Sequence, residues 1–275
     1  MPLRSLIQNL KKQYQLDKRE IEIVLSHVLN TNTAGLFVYE KELNQHQLNK
    51  IHQLLEKRQQ GIPFAYLTGV KDFWSLTLKV NEHTLIPRPE TELIIEHILN
   101  KTTADFEGSI LDLGTGTGAI ALSLALERPK ARVTAIDKST KCVETARENK
   151  ENYQLNNVEI FQSNWFEKLE GHTFDFIVSN PPYIAQDDKH LSDLKFEPLS
   201  ALVADDNGYS DLEHIIKQAK NHMNKNAELI LEHGYNQFEV VQQKLLANCY
   251  LNVKSHPDLA GIQRITTADA PKSCY

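Results

Sequence analysis

Cysteine is scarce, and the few present do not cluster. Cys142, Cys249 and Cys274 stand far apart and are odd in number. With no Cys-x-x-Cys pair, neither a disulfide framework nor a thiolate zinc site is indicated, and free thiols in a reducing cytoplasm are expected. The eleven histidines include no His-Glu-x-x-His spacing, so none is assigned to a metal. Long apolar runs are missing too. The strongest, Ala119 to Leu126, is far too short to span a bilayer. The opening Met1-Pro2-Leu3-Arg4-Ser5-Leu6 lacks the unbroken apolar core of a signal peptide. Nor is there a basic excess: the formal net charge is -6, which argues against affinity built mainly on neutralising phosphates. These absences describe a cytoplasmic chain, expected as a monomer, whose direct partners are neither membranes nor nucleic acid.

What is present is enough apolar material for a core, 41% of 275 residues, arranged in two styles. In the first 72 residues the spacing is helical. Leu3, Leu6, Ile7 and Leu10 share a face, as do Ile21, Val24, Leu25 and Val28, and then Leu48, Ile51, Leu54 and Leu55. Asp17 and Glu20 have the spacing of a capping box opening the second helix. Around Phe73 the period becomes alternating. Leu76, Leu78 and Val80 point one way, and Asn81-Glu82 is read as the turn of a hairpin that links the two parts over 73–88. Pro89 suits the first turn of a helix bearing Leu93, Ile94, Ile98 and Leu99.

The remainder, 89–275, alternates strands and helices, which means a mostly parallel sheet covered on both faces. Strands are expected at Ile110–Leu113, Val133–Ile136, Val158–Phe161, Phe174–Ser179 and Glu228–Glu232, with edge strands near Val253 and Arg264–Thr267. Between Ile184 and Tyr209 runs a long irregular segment, of the kind that forms a lid or binding loop.

Two motifs carry chemistry. Strand 110–113 runs into Gly114-Thr115-Gly116-Thr117-Gly118, where glycines let the backbone bend and a ligand lie close. Asp137 ends the following strand, placed to accept hydrogen bonds from the ribose hydroxyls of a nucleoside. A nicotinamide dinucleotide or a nucleoside sulfonium would fit this much. The Gly-x-Gly-x-Gly spacing, one residue shorter than the dinucleotide fingerprint, favours S-adenosylmethionine. So does Asp112, whose charge suits an ammonium and a sulfonium and would repel a pyrophosphate.

The second motif, Asn180-Pro181-Pro182-Tyr183, closes the apolar strand at 174–179. The prolines stiffen the turn and remove two N–H donors, leaving an acceptor-rich corner. A primary amide or an exocyclic base amine is a poor nucleophile because its lone pair is delocalised. The Asn180 side-chain oxygen and the Pro181 carbonyl can each accept one of its N–H groups and aim the lone pair at a methyl donor. Tyr183 can stack on the planar group. Glutamine amide and adenine amine satisfy this geometry equally, and a binding module that has lost catalysis is the third reading.

At these residues the chain resembles the HemK/PrmC family, the peptide chain release factor N(5)-glutamine methyltransferases. The likeness runs through Pro63 to Gly69, Pro87-Arg88-Pro89-Glu90-Thr91-Glu92, Leu111 to Ala121, Ser179 to Ile184, Phe196-Glu197-Pro198, Glu232-His233-Gly234 and Gly261 to Arg264. It implies a class I methyltransferase domain, Rossmann-like with a seven-stranded sheet, behind an all-helical N-terminal domain that recognises the release factor. The implied acceptor is the glutamine of a Gly-Gly-Gln loop in class I release factors. A sister activity acts on a glutamine of a large-subunit ribosomal protein, but the Pro-Arg-Pro-Glu run favours release factors. Matched by position, Gly114 to Gly118, Asp137, Trp165 and Asn180 would bind the cofactor, and Asn180 to Tyr183 the glutamine. Read without the resemblance, Trp165 suits the core. Asn164 and Asn207 stand where the family more often has Asp.

Overall fold

A computed structural model describes residues 3–272; Cys274 and the opening Met1-Pro2 lie outside them. The chain divides into two compact units, Met1–Gly69 and Val70–Tyr275.

The first unit holds helices α1 (Leu3–Tyr14), α2 (Lys18–Leu29), α3 (Gln45–Gln59) and the short α4 (Phe64–Thr68). The apolar stripes seen in the sequence become its core: Leu6, Leu10, Ile21, Val24, Leu25, Ile51 and Leu55 are buried together. Each such side chain contributes roughly 1.5–3 kcal/mol. Polar residues set the helix ends. Glu20 accepts the Asp17 N–H at 3.2 Å, and Asn44 and Gln47 exchange bonds of 2.9 and 3.0 Å at the start of α3. Arg58 ties α3 to Glu20 on α2 at 2.7 Å.

The second unit opens with a hairpin, β1 (Val70–Phe73) and β2 (Leu76–Lys79). This differs from the sequence reading, which set the boundary at 72 and the hairpin at 73–88. The chain reverses at Trp74, whose φ is +52°. Asn81 does make a turn, accepting the Thr84 N–H at 3.0 Å, but no strand follows it. Pro87 and Pro89 remove ladder donors there, and β2 is instead held from its far side by Asn149, which bonds Lys79 N and O at 2.7 and 3.0 Å.

Helix α5 (Glu92–Lys101) follows a single 3-10 turn, Pro89–Thr91. Then come β3 (Ser109–Leu113), α6 (Ala119–Glu127), β4 (Arg132–Asp137), α7 (Thr140–Asn152), β5 (Val158–Gln162) and β6 (Phe174–Ser179). After the turn α8 (Asp205–Gly208) the chain continues through α9 (Ser210–Ala219), β7 (Met223–Glu232), α10 (Phe238–Ala247), β8 (Leu251–Pro257) and β9 (Gln263–Asp269). The seven strands lie in the order β5-β4-β3-β6-β7-β9-β8. Among the described residues β9 alone runs antiparallel to the other six strands. It is an interior strand and not the edge strand expected, because Ile265 to Ala268 are all buried between β7 and β8.

Alternation along the strands sends neighbours to opposite faces. Ile110, Val178 and Ile230 meet α5, α6 and α7 on one side. Leu111, Ile177 and Leu229 meet Leu212, Ile215 and Val241 of α9 and α10 on the other. Strand order reverses at β3, so the C-terminal ends of β3, β4 and β6 converge on one crevice, the place where open α/β sheets bind ligands. Among the described residues no helix is long and apolar enough to cross a membrane.

Candidate active site

Three strand ends supply the crevice. After β3 the glycine turn is wound tightly: Gly114, Gly116 and Gly118 have φ of 75°, 56° and 85°, values that an L side chain rarely adopts. A Cβ added at Gly116 would meet nothing within 4 Å, so the backbone there faces open space. Four of the turn's five backbone donors are engaged. Gly114 N and Thr115 N both donate to Ile136 O at 2.9 Å, and Gly118 N donates to Thr115 O at 2.8 Å. Gly116 N donates to Asp137 Oδ2 at 2.9 Å. A pyrophosphate needs such N–H groups free, and here they are spent.

Asp137, at the end of β4, also takes the Ser139 N–H on Oδ1 at 2.8 Å. Each oxygen keeps a second lone pair for an incoming hydroxyl. Burial pushes its carboxyl above the ordinary range, against the pull of these two bonds. Cys142 lies beside it and points its thiol at His83 O, 3.3 Å away; burial and the neighbouring carboxylate push that thiol up to about 12.

Asp112, whose charge the sequence reading invoked, stands behind the cavity wall and not on it. It is 1% exposed, and its Oδ2 holds Thr115 Oγ1 at 2.6 Å and Ala121 N at 3.2 Å. The charge braces the turn from within because β3 is buried along its whole length. Burial lifts its carboxyl to about 7, and Oδ1 has no hydrogen-bond partner among the described residues.

Asn180 follows β6. Its Nδ2 donates to Thr91 Oγ1 at 3.1 Å, so the amide nitrogen is committed away from the crevice. Tyr183 donates its hydroxyl to Glu232 Oε1 at 3.3 Å. Its carbonyl accepts from Gln237 Nε2 at 3.0 Å. Gly208 packs on the same carbonyl: with φ of 88°, a Cβ there would lie 2.2 Å from the oxygen. Asn207 just before it takes a left-handed φ of 56°, which Asn tolerates as well as Asp.

A cavity of about 480 Å³ joins these ends. Of the expected cofactor residues it is lined by Gly114, Gly116, Asp137, Trp165 and Asn180, with Pro182 from the corner. Asp112, Thr115, Thr117, Gly118, Pro181 and Tyr183 are not on its wall. Trp165 is on the wall rather than in the core alone. Its φ is +48°, Ser163 Oγ donates to Trp165 O at 2.8 Å, and its indole favours the charged form of the neighbouring Asp211. Asn164 turns to Glu167 Oε1 at 2.7 Å. Ser200, Ala201 and Val203 close another side. They belong to the long segment after Ile184, which a bridge between Ile184 and Val203 folds back on itself. Sequence reasoning foresaw a loop there but did not name Ser200, Ala201 or Val203. It also missed His83, Leu85 and Asp211, for which no spacing gave a signal.

The fit to a nucleoside sulfonium is good. Asp137 and Asp211 bring negative charge to a wall that Leu85, Ile136, Trp165 and Val203 make partly apolar and that also carries Lys138, and the N–H groups of Gly114, Thr115, Gly116 and Gly118 are already engaged. This sheet, turn and acidic partner define an S-adenosylmethionine-dependent methyltransferase. Residues 89–195 match the methyltransferase small domain and residues 3–69 the PrmC N-terminal domain. A Salmonella typhimurium protein named release factor glutamine methyltransferase is 46% identical over 252 residues, covering 90% of this chain and 91% of its own. One of the same name from Escherichia coli is 42% identical over 267 residues, covering 96% of each. A solved methyltransferase from Pyrococcus furiosus shares the fold with a TM-score of 0.56 at 21% identity, covering 79% of this chain and all of that one. The chain belongs to the release factor glutamine methyltransferase family.

Proposed function

We propose that this protein methylates the side-chain amide nitrogen of the glutamine in the Gly-Gly-Gln motif of class I peptide chain release factors. The bound cofactor supplies an electrophilic methyl group on a sulfonium. Gly114, Gly116, Asp137 and Trp165 hold it, with Asp137 taking the ribose hydroxyls. Asn180 Oδ1 accepts one N–H of the substrate amide and the Pro181 carbonyl accepts the other, so the lone pair is aimed and the growing positive charge is met by two acceptors. The new N–C bond forms as the S–CH₃ bond breaks, and the acidified nitrogen gives its proton to water. No side-chain base is required. Tyr183 flanks the corner, anchored through its hydroxyl. The helical unit, 1–69, recognises the body of the release factor.

The single observation that carries this reading is the Asn180–Thr91 bond. It engages the amide nitrogen and leaves the oxygen as the acceptor that a substrate NH₂ group needs. The test is incubation with radiolabelled S-adenosylmethionine, with a class I release factor, the large-subunit ribosomal proteins and nucleic acid offered in parallel. Label should enter the release factor, at its Gly-Gly-Gln glutamine by peptide mass spectrometry. Label confined to nucleic acid or to a ribosomal protein would overturn the assignment.

A further inference from the structure

We infer that Thr91 and Glu232 are positioning residues that fix the Asn180 carboxamide with its oxygen toward the substrate. The inference rests on the role proposed above for Asn180. A carboxamide presents nearly the same shape with oxygen and nitrogen exchanged, so packing alone does not choose between the two orientations. Hydrogen bonding must choose. The wrong choice would set an NH₂ group against the substrate's NH₂ group, donor against donor.

The choice is made by counting protons. A threonine hydroxyl has one proton and two lone pairs. Thr91, 4% exposed, receives Asn180 Nδ2 at 3.1 Å, and it favours the charged form of the neighbouring Glu232 carboxylate, which is the acceptor open to its one proton. While that proton is committed, Thr91 can only accept from Asn180, so the amide must turn its nitrogen inward. Glu232 lies at the end of β7, one residue beyond the Ser179–Leu231 pairing, which brings it beside Asn180. It is 2% exposed. It takes the Tyr183 hydroxyl on Oε1 at 3.3 Å, while Oε2 has no hydrogen-bond partner among the described residues. A buried carboxylate with spare acceptor capacity is costly to keep.

The groups facing Glu232 come from every element around it. From the turn before α5 come Thr91 and Glu90, whose charge opposes ionisation. From the segment after β6 comes Tyr183, itself under the influence of Arg88 and Arg264. From β9 comes Arg264, which favours the charged form but is shared with Asp258 at 2.8 Å. On its own strand His233 is held neutral by burial. Burial outweighs the favourable terms and lifts the Glu232 carboxyl to about 7. Above that pH the carboxylate holds the Thr91 proton and the amide is locked. Below it the protonated acid donates instead, the Thr91 proton is free to turn toward Asn180, and the amide oxygen is drawn away from the substrate. Turnover should therefore rise with pH through an acid limb near 7.

The test measures kcat on a class I release factor, at saturating S-adenosylmethionine, from about pH 6 to 9. Thr91→Val should lower kcat by roughly 10- to 100-fold with cofactor affinity unchanged, and Thr91→Ser, which keeps the hydroxyl, should restore it. Glu232→Gln should abolish the acid limb. Thr91→Ser as slow as Thr91→Val would point to lost packing and overturn the inference; so would a wild-type acid limb in Glu232→Gln or full turnover in Thr91→Val. Asn180→Ala is the reference. Should it turn over normally, the proposed role of Asn180 fails as well; should it be slow while Thr91→Val is fast, only the positioning fails.

Discussion

Arg88 and Glu197, 109 positions apart in sequence, form an ion pair whose acidic member is almost wholly buried. The second carboxylate oxygen of Glu197 takes the Ile86 N–H at 3.0 Å. One carboxylate thus fastens the segment leading into Pro87-Arg88-Pro89 to the long segment that walls the cavity. Thr91, which holds Asn180, sits three residues after Arg88, so both walls of the site are referred to the same short stretch of chain.

Removing the guanidinium leaves a buried carboxylate with only one bond. Arg88→Ala is expected to lower stability by about 2 kcal/mol, the usual cost of losing a hydrogen bond to a charged group. It should also weaken cofactor binding, because Ser200, Ala201 and Val203 are no longer held in place. Urea unfolding and titration calorimetry would show both effects. Unchanged midpoint and affinity together would mean that the pair contributes nothing.

Asn180→Ala removes the acceptor without disturbing the strand beneath it. Its cofactor affinity should stay near that of the parent, since Gly116, Asp137 and Trp165 are untouched. Turnover should fall by roughly 10²–10³, as when one preorganised transition-state partner is deleted. Single-turnover kinetics separates the two. Near-normal turnover would mean that another group orients the nitrogen.

How far the sequence was readable follows from what each feature depends on. Period and punctuation report local structure, so α1 to α3, the parallel strands and the two motif turns were legible. Contacts made by pairing across the chain were not. The Asn81 turn is a real turn, yet β2 pairs backward with β1 because Trp74 reverses the chain earlier. Arg264 to Thr267 read as an edge strand because local pattern does not tell whether one or two neighbours will pair with it. In the site, Asn180 and Asp137 were proposed from their places at strand ends, and both line the cavity. Asp112 was read from its charge, which is visible in sequence, whereas its burial against Thr115 and Ala121 is not. Thr91, Glu197 and Glu232 lay in recognised segments, but their tasks exist only once β6, β7 and the turn before α5 come together.

The buried carboxyl of Asp112 makes a prediction about pH and stability. In the fold it titrates at about 7, against about 3.9 for an unfolded aspartate. Between those values the folded chain holds a proton that the unfolded chain has released, so stability falls as pH rises through the window and levels off above it. At roughly 1.4 kcal/mol per unit the loss is at most about 4 kcal/mol. Asp112→Asn should remove this part of the slope, and Glu232, shifted in the same direction, should leave a residue of it. Melting temperatures of the two proteins without added cofactor, measured between about pH 4 and 8, test this. Parallel curves would show that Asp112 is not protonated in the fold.

Asp137 joins the cofactor to the scaffold, and its variants can separate those tasks. Its two oxygens already hold Gly116 N and Ser139 N, so a bound ribose is gripped by lone pairs whose direction the backbone has fixed. Asp137→Ala removes both the acceptors and the brace, and should weaken S-adenosylmethionine binding by roughly 1.5–3 kcal/mol. Asp137→Asn keeps one acceptor but must present an NH₂ group to one of the two backbone donors. That clash strains the turn at Gly116 or at Ser139, so Asn should be nearly as damaging as Ala. Calorimetry with S-adenosylmethionine, and with the methylthio nucleoside that lacks its amino acid, distinguishes the causes. A loss of equal size for both ligands places the defect at the ribose. A loss seen only for the intact cofactor would move it to the amino acid end and contradict the ribose assignment.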